Sequence, residues 1–171
     1  ERLLLYYWNP LVIVESYGSG HVDVVAAAFL VLAIALYEAR RALPAGIAFA
    51  LAALTKLVPA LLGPWLLRRR AWLLLAAAAA TTAILFAPFW DAGSSLWTGL
   101  LTYARHWEFN SALYRLLRAA GVADEVARKL LAAAMVAATL AIAGRAKTAP
   151  GAAFATMAAL LVLSPTVFPW Y

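Results

Sequence analysis

Between Ala71 and Trp90 the chain carries twenty consecutive residues without a charge. A run of that length fits the helical path across a bilayer core of about 30 Å, at about 1.5 Å per residue. In lipid every backbone N–H and C=O needs an internal partner, so such a run crosses as a helix. Comparable apolar blocks recur at Val24 to Tyr37, Pro44 to Leu67 (interrupted by Lys56), Glu125 to Ala143 and Ala149 to Leu163. Apolar residues make up 66% of the 171, against about 45–50% in soluble domains. The runs are continuous rather than alternating, which excludes a membrane β-barrel. The expectation is an all-α, polytopic transmembrane helical bundle.

The net charge of +6 is not a nucleic-acid signal. Basic residues fall in short clusters between apolar blocks, as positive-inside sorting requires, and no basic face or nucleic-acid motif is present. The absence of cysteine excludes disulfides, thiolate metal sites and cysteine nucleophiles. His21 and His106 are far apart in sequence, so no metal and no cofactor are expected.

Pro44 to Leu67 admits two readings. As one span it puts Arg40 and Arg68 on opposite sides. As a broken, re-entrant hairpin near Lys56 and Pro59 it keeps Arg40-Arg41, Arg68–Arg70 and Arg145/Lys147 on one side. A raw count of Lys and Arg does not separate the two. Short loops carry the orientation signal best, which favours the hairpin. The loop from Asp91 to Asp124 places Leu100, Tyr103, Ala104, Trp107, Ser111, Tyr114 and Leu117 on one helical face, the pattern of an interfacial helix in the headgroup layer. With the hairpin, polar chemistry collects on the outer face. The chain opens at Glu1 and stops at Trp170-Tyr171 straight after an apolar run, so residues 1–171 are expected to be a partial transmembrane domain of a longer protein.

The polar residues that interrupt this chain are the candidate site. Glu15, His21 and Asp23 lie within nine residues between segments fit for lipid, and ionisable groups at that depth are costly enough to be functional by default. Their bland alternative is a network that only orients helices. Lys56 is either a snorkelling lysine at a helix break or a point charge for a phosphate. Arg105 and His106 beside Trp107 are either interfacial anchors or a phosphate clamp. Trp90, Trp97, Trp107, Trp170 and Tyr171 suit an aromatic belt, and Arg68–Arg70 a topology signal.

Four strings in order carry a resemblance. Asn9-Pro10, Glu15 and Gly20-His21-Val22-Asp23 are similar to the "NP-x4-E, G-x-G-H-x-D" segment of polyprenyl-phosphate-sugar-dependent glycosyltransferases of the GT-C membrane fold, nearest to glycosyltransferase family 87 and its α-1,6-mannosyltransferase relatives. Leu54-Thr55-Lys56-Leu57-Val58-Pro59 resembles the family's "L-T-K-x-x-P", and Trp107-Glu108-Phe109-Asn110 its "W-x-F-N". Ser164-Pro165 with Pro169-Trp170-Tyr171 resembles its "S-P-x3-P-W-Y". Ser19 stands where the family usually has Asn, and Phe168 where it often has His.

The resemblance implies a membrane hexosyltransferase of a bacterial plasma membrane. It would move mannose from a polyprenyl-phosphate donor to a glycolipid or lipoglycan acceptor on the outer face. Glu15, His21, Asp23, Lys56, Arg105, His106, Asn110, Trp170 and Tyr171 are the substrate-binding candidates. The catalytic base of that fold follows its first helix, so it is expected upstream of Glu1. Two other readings stand: a transporter or flippase of lipid-linked sugars, whose mark would be an internal repeat, and a non-catalytic membrane partner.

Overall fold

The computed structural model describes residues 9–167; Trp170 and Tyr171 lie outside them. The described residues are helical throughout, apart from turns and one isolated pair of bridged residues. A one-turn helix α1 (Pro10–Ile13) runs into a π-turn (Val14–Gly18), and α2 (Asp23–Glu38) follows. Then come α3 (Ala42–Thr55), a 3-10 turn (Val58–Leu62) and α4 (Gly63–Arg68). α5 (Trp72–Phe86) continues through a 3-10 turn (Ala87–Ala92). The remaining helices are α6 (Ser95–His106), α7 (Ala112–Ala119), α8 (Asp124–Arg145) and α9 (Ala149–Leu163).

Two stretches among the described residues, Trp72–Ala92 and Asp124–Arg145, are long and apolar enough to cross a bilayer. Their outer surfaces are apolar too: Ile84 is 71% and Leu140 59% exposed, and on the shorter α9 Phe154 is 77% exposed. Such faces are aggregation liabilities in water and ordinary in lipid.

The expected break near Lys56 forms, and proline is its cause. A helix continued past Thr55 would drive the Pro59 ring into the Thr55 carbonyl, and Pro59 has no N–H to return. α3 therefore stops at Thr55, and Lys56 takes an extended conformation (φ −151°, ψ 133°). The chain turns back through Val58–Leu62 into α4. Both arms return to one end of the bundle, where Arg69 Nη2 donates to the carbonyls of Ala146 (2.7 Å) and Lys147 (3.0 Å). The three basic clusters thus share one end.

α3 packs against both α2 and α5, and its small residues make this possible. Ala45, Gly46, Ala48, Phe49, Ala50 and Ala52 are buried. A Cβ added at Gly46 would stand 2.3 Å from the Leu74 carbonyl oxygen and 2.7 Å from Ala77 Cβ. The two backbones touch there, which is how helices in lipid gain contact without a hydrophobic driving force. Below the break, Trp65 fills the core at 3% exposure and donates Nε1–H to the Ala146 carbonyl (2.9 Å).

The 91–124 connection differs from a single interfacial helix. It holds two helices, α6 and α7, parted by residues 107–111, with Asn110 in the left-handed region (φ 48°). Asn tolerates that conformation better than most residues. The residues expected to share one helical face are therefore divided. Ser111 and Tyr114 are buried, while Leu100 and Trp107 face outward at 40% and 51% exposure.

Candidate functional site

The candidate residues sit at the end opposite the arginine clusters. Gly18 closes the π-turn, and Gly20 supplies the left-handed step (φ 69°) that lets the chain reverse before α2. The reversal returns His21 N–H to the Glu15 carbonyl (3.0 Å) and sets His21 Nδ1 3.1 Å from Glu15 Oε2. Asp23 then opens α2, where the helix dipole favours a carboxylate.

Asp23 and Lys56, 33 residues apart, form an ion pair between Oδ1 and Nζ. Both side chains are largely shielded, at 19% and 25% exposure. The proline that ends α3 gives the pair its position, since Lys56 is the first residue after the helix. From the basic end, the 14 residues of α3 rise about 21 Å and the 16 of α2 about 24 Å. The pair therefore stands short of a bilayer core of about 30 Å, where an uncompensated charge would be expensive.

Arg105, His106 and Asn110 belong to another segment at the same end. It is fastened from two sides. Phe109 pairs with residues 165–167 in a parallel bridge: its N–H donates to the Pro165 carbonyl (3.3 Å), and Val167 N–H donates to the Phe109 carbonyl (2.8 Å). Thr166, 2% exposed, donates Oγ1–H to the Trp107 carbonyl (3.0 Å). From the other side Arg128 donates Nη1–H to that same carbonyl (3.0 Å) and Nε–H to Asp124 Oδ1 (3.0 Å). Its guanidinium lies 5.0 Å from the Tyr114 ring centroid, within cation–π range. Tyr114 donates its hydroxyl to Asp124, and that carboxylate holds the phenol above its ordinary titration range, with burial adding to the effect.

The nine candidates therefore divide. Glu15 with His21, and Asp23 with Lys56, are brought together as pairs. Arg105 and His106 are exposed on the last turn of α6, and Asn110 is exposed at the turn after it. Among the described residues no three metal-ligating side chains gather at one point. Two contributors escaped the reading of the sequence: Arg128 as the strut under Trp107, and Thr166 as its second anchor. The only available signal for Thr166 was its place in the string beginning Ser164-Pro165.

Chemically, the arrangement offers a shielded ammonium–carboxylate pair and an aromatic loop, fastened from two sides, with Arg105 and His106 at its edge. The family model of glycosyltransferase family 87 matches residues 3–169. No curated protein matches the chain, and no solved structure does.

Proposed function

Since the chain belongs to glycosyltransferase family 87, it is a membrane glycosyltransferase in class, and we propose that it handles a hexose, mannose, carried on a polyprenyl phosphate and passed to a glycolipid or lipoglycan. The observation that supports this reading is the Asp23–Lys56 pair, a largely shielded charged couple between apolar helices. A prenyl chain lets the donor slide laterally to that level, and its phosphate needs a cation there. Lys56, held by Asp23, meets the phosphate from within the bundle. Arg105 meets it from the loop, where a guanidinium can bond two oxygens at once.

The reaction breaks the bond between the sugar's anomeric carbon and the phosphate oxygen while the acceptor oxygen forms a new one. Charge accumulates on the departing polyprenyl phosphate, and cations fixed beside it stabilise that development. An acidic group takes the acceptor's proton. Glu15, His21 and Asn110 suit the sugar hydroxyls, with Trp170 and Tyr171 as further contacts. The site faces outward in a bacterial plasma membrane, with the arginine end in the cytoplasm, because short basic loops are retained there.

The test is mannose transfer by the full-length protein from polyprenyl-phosphate-mannose, comparing the parent with Lys56→Met, Arg105→Gln and the paired change Asp23→Leu with Lys56→Met. The paired change removes both charges together, so the fold is kept while the phosphate contact goes. Transfer falls about 100-fold or more in Lys56→Met and in the paired variant. Full activity in the folded paired variant overturns the assignment, and lipid flipping without transfer would make the protein a transporter.

A further inference from the structure

The opposite end of the bundle carries a site of its own. A cavity of about 400 Å³ opens there between α2, α3, α4, α5 and α9, and Arg40, Arg69, Arg70 and Lys147 line it, with Glu38 as the one acidic group in the lining. Three helices begin at its wall: α3 at Ala42, α5 after Ala71 and α9 after Thr148. Helix starts present unpaired N–H groups and a partial positive charge. The Thr148 hydroxyl accepts one of these, from Gly151 N–H (3.2 Å). The carbonyl ends of α2 and α4 at the same wall offset the helix starts, so the positive charge of the cavity comes from its side chains.

A second observation concerns two of those arginines. α2 and α4 both end with a residue in the left-handed region, Arg40 (φ 61°) and Arg70 (φ 54°). The bonds from Arg41 N–H to the Leu36 carbonyl (2.8 Å) and from Ala71 N–H to the Leu66 carbonyl (3.1 Å) close the same terminal motif twice. Glycine is the residue that motif favours, and the Cβ of an arginine is strained there. The chain places arginine in both positions, and both arginines line the same cavity. Helix ends and cytoplasmic loops favour basic residues in general; what singles these two out is that both strained positions converge on one cavity.

We infer that this cavity binds the phosphate of an anionic phospholipid headgroup. The level of the cavity argues for a lipid over free phosphate. Trp72 opens α5 directly after the wall residue Ala71 and is 58% exposed. Exposed Trp at a helix start marks the headgroup level. Basic pockets between membrane helices take anionic headgroups by the same chemistry.

The experiment uses the full-length protein in phosphatidylcholine nanodiscs, with or without phosphatidylglycerol, and the double variant Arg40→Gly with Arg70→Gly. Glycine keeps the left-handed backbone, so the variant melts at the same temperature or higher in phosphatidylcholine alone. Native mass spectrometry of the parent retains phosphatidylglycerol in preference to phosphatidylcholine. The variant holds it about thirtyfold more weakly, as loss of two basic residues near a phosphate predicts. Equal retention by the two proteins overturns the site. Inorganic phosphate that displaces the lipid at matching concentration overturns the lipid assignment.

Discussion

At the scale of single residues, the Asp23–Lys56 pair shows most about how this chain manages charge. Each partner makes the other tolerable, so removing one is worse than removing both. Lys56→Met alone leaves a shielded carboxylate without its counter-charge and costs about 3 kcal/mol. Thermal unfolding in detergent would show this as a drop in melting temperature, with most of it recovered when Asp23→Leu is added. The sequence marks both residues as exceptional, because ionisable groups between apolar blocks stand out. It does not pair them: the contact spans 33 residues and obeys no helical period. Arg128 is harder still to anticipate. At i+4 from Asp124 it looks like a routine surface partner on a helix, yet it also ties the Trp107 carbonyl to α8. Arg128→Ala removes a charge-assisted bond worth about 1.5 kcal/mol. Amide exchange at Trp107 and Phe109 then speeds up about tenfold, while exchange in α3 is unaffected.

At the scale of elements, prolines and small residues decide the architecture, and those are the residues a sequence displays most openly. Pro59 announces the end of α3, and the Arg40-Arg41, Arg68–Arg70 and Arg145/Lys147 clusters announce that the broken segment turns back. The Ala-rich faces announce close packing without saying against what. Gly46 illustrates the difference, because its reason lies in the Leu74 carbonyl of α5. Gly46→Val overpacks that contact and costs at least about 2 kcal/mol, measurable as a lower melting temperature with α-helical content retained below it. The connection between α5 and α8 was less legible. Its apolar spacing suits one continuous helix, and only Asn110 hints that the chain reverses hand there. The bridge from Phe109 to Thr166 joins two short strings whose spacing carries no information about each other.

At the scale of the whole molecule, the arrangement separates two chemistries. The paired charges and the Trp107 loop occupy one end, and the arginine-lined cavity the other. Residues 1–171 contain no cysteine, so a single cysteine placed among them reports its own position once any cysteine elsewhere in the protein is replaced by serine. Single cysteines replacing Arg41, Arg68 and Lys147 in the full-length protein react with an impermeant maleimide from one side of sealed vesicles, and a cysteine replacing Asn110 reacts from the other. Labelling of positions 41 and 68 from opposite sides would mean that the segment between them crosses completely. The break after Thr55 has a consequence beyond topology. A helix of about 21 Å is shorter than a layer of about 30 Å, a mismatch that membranes meet by thinning, by side chains reaching out or by helix association. Thinning beside α3 would bring headgroups and water closer to the lysine.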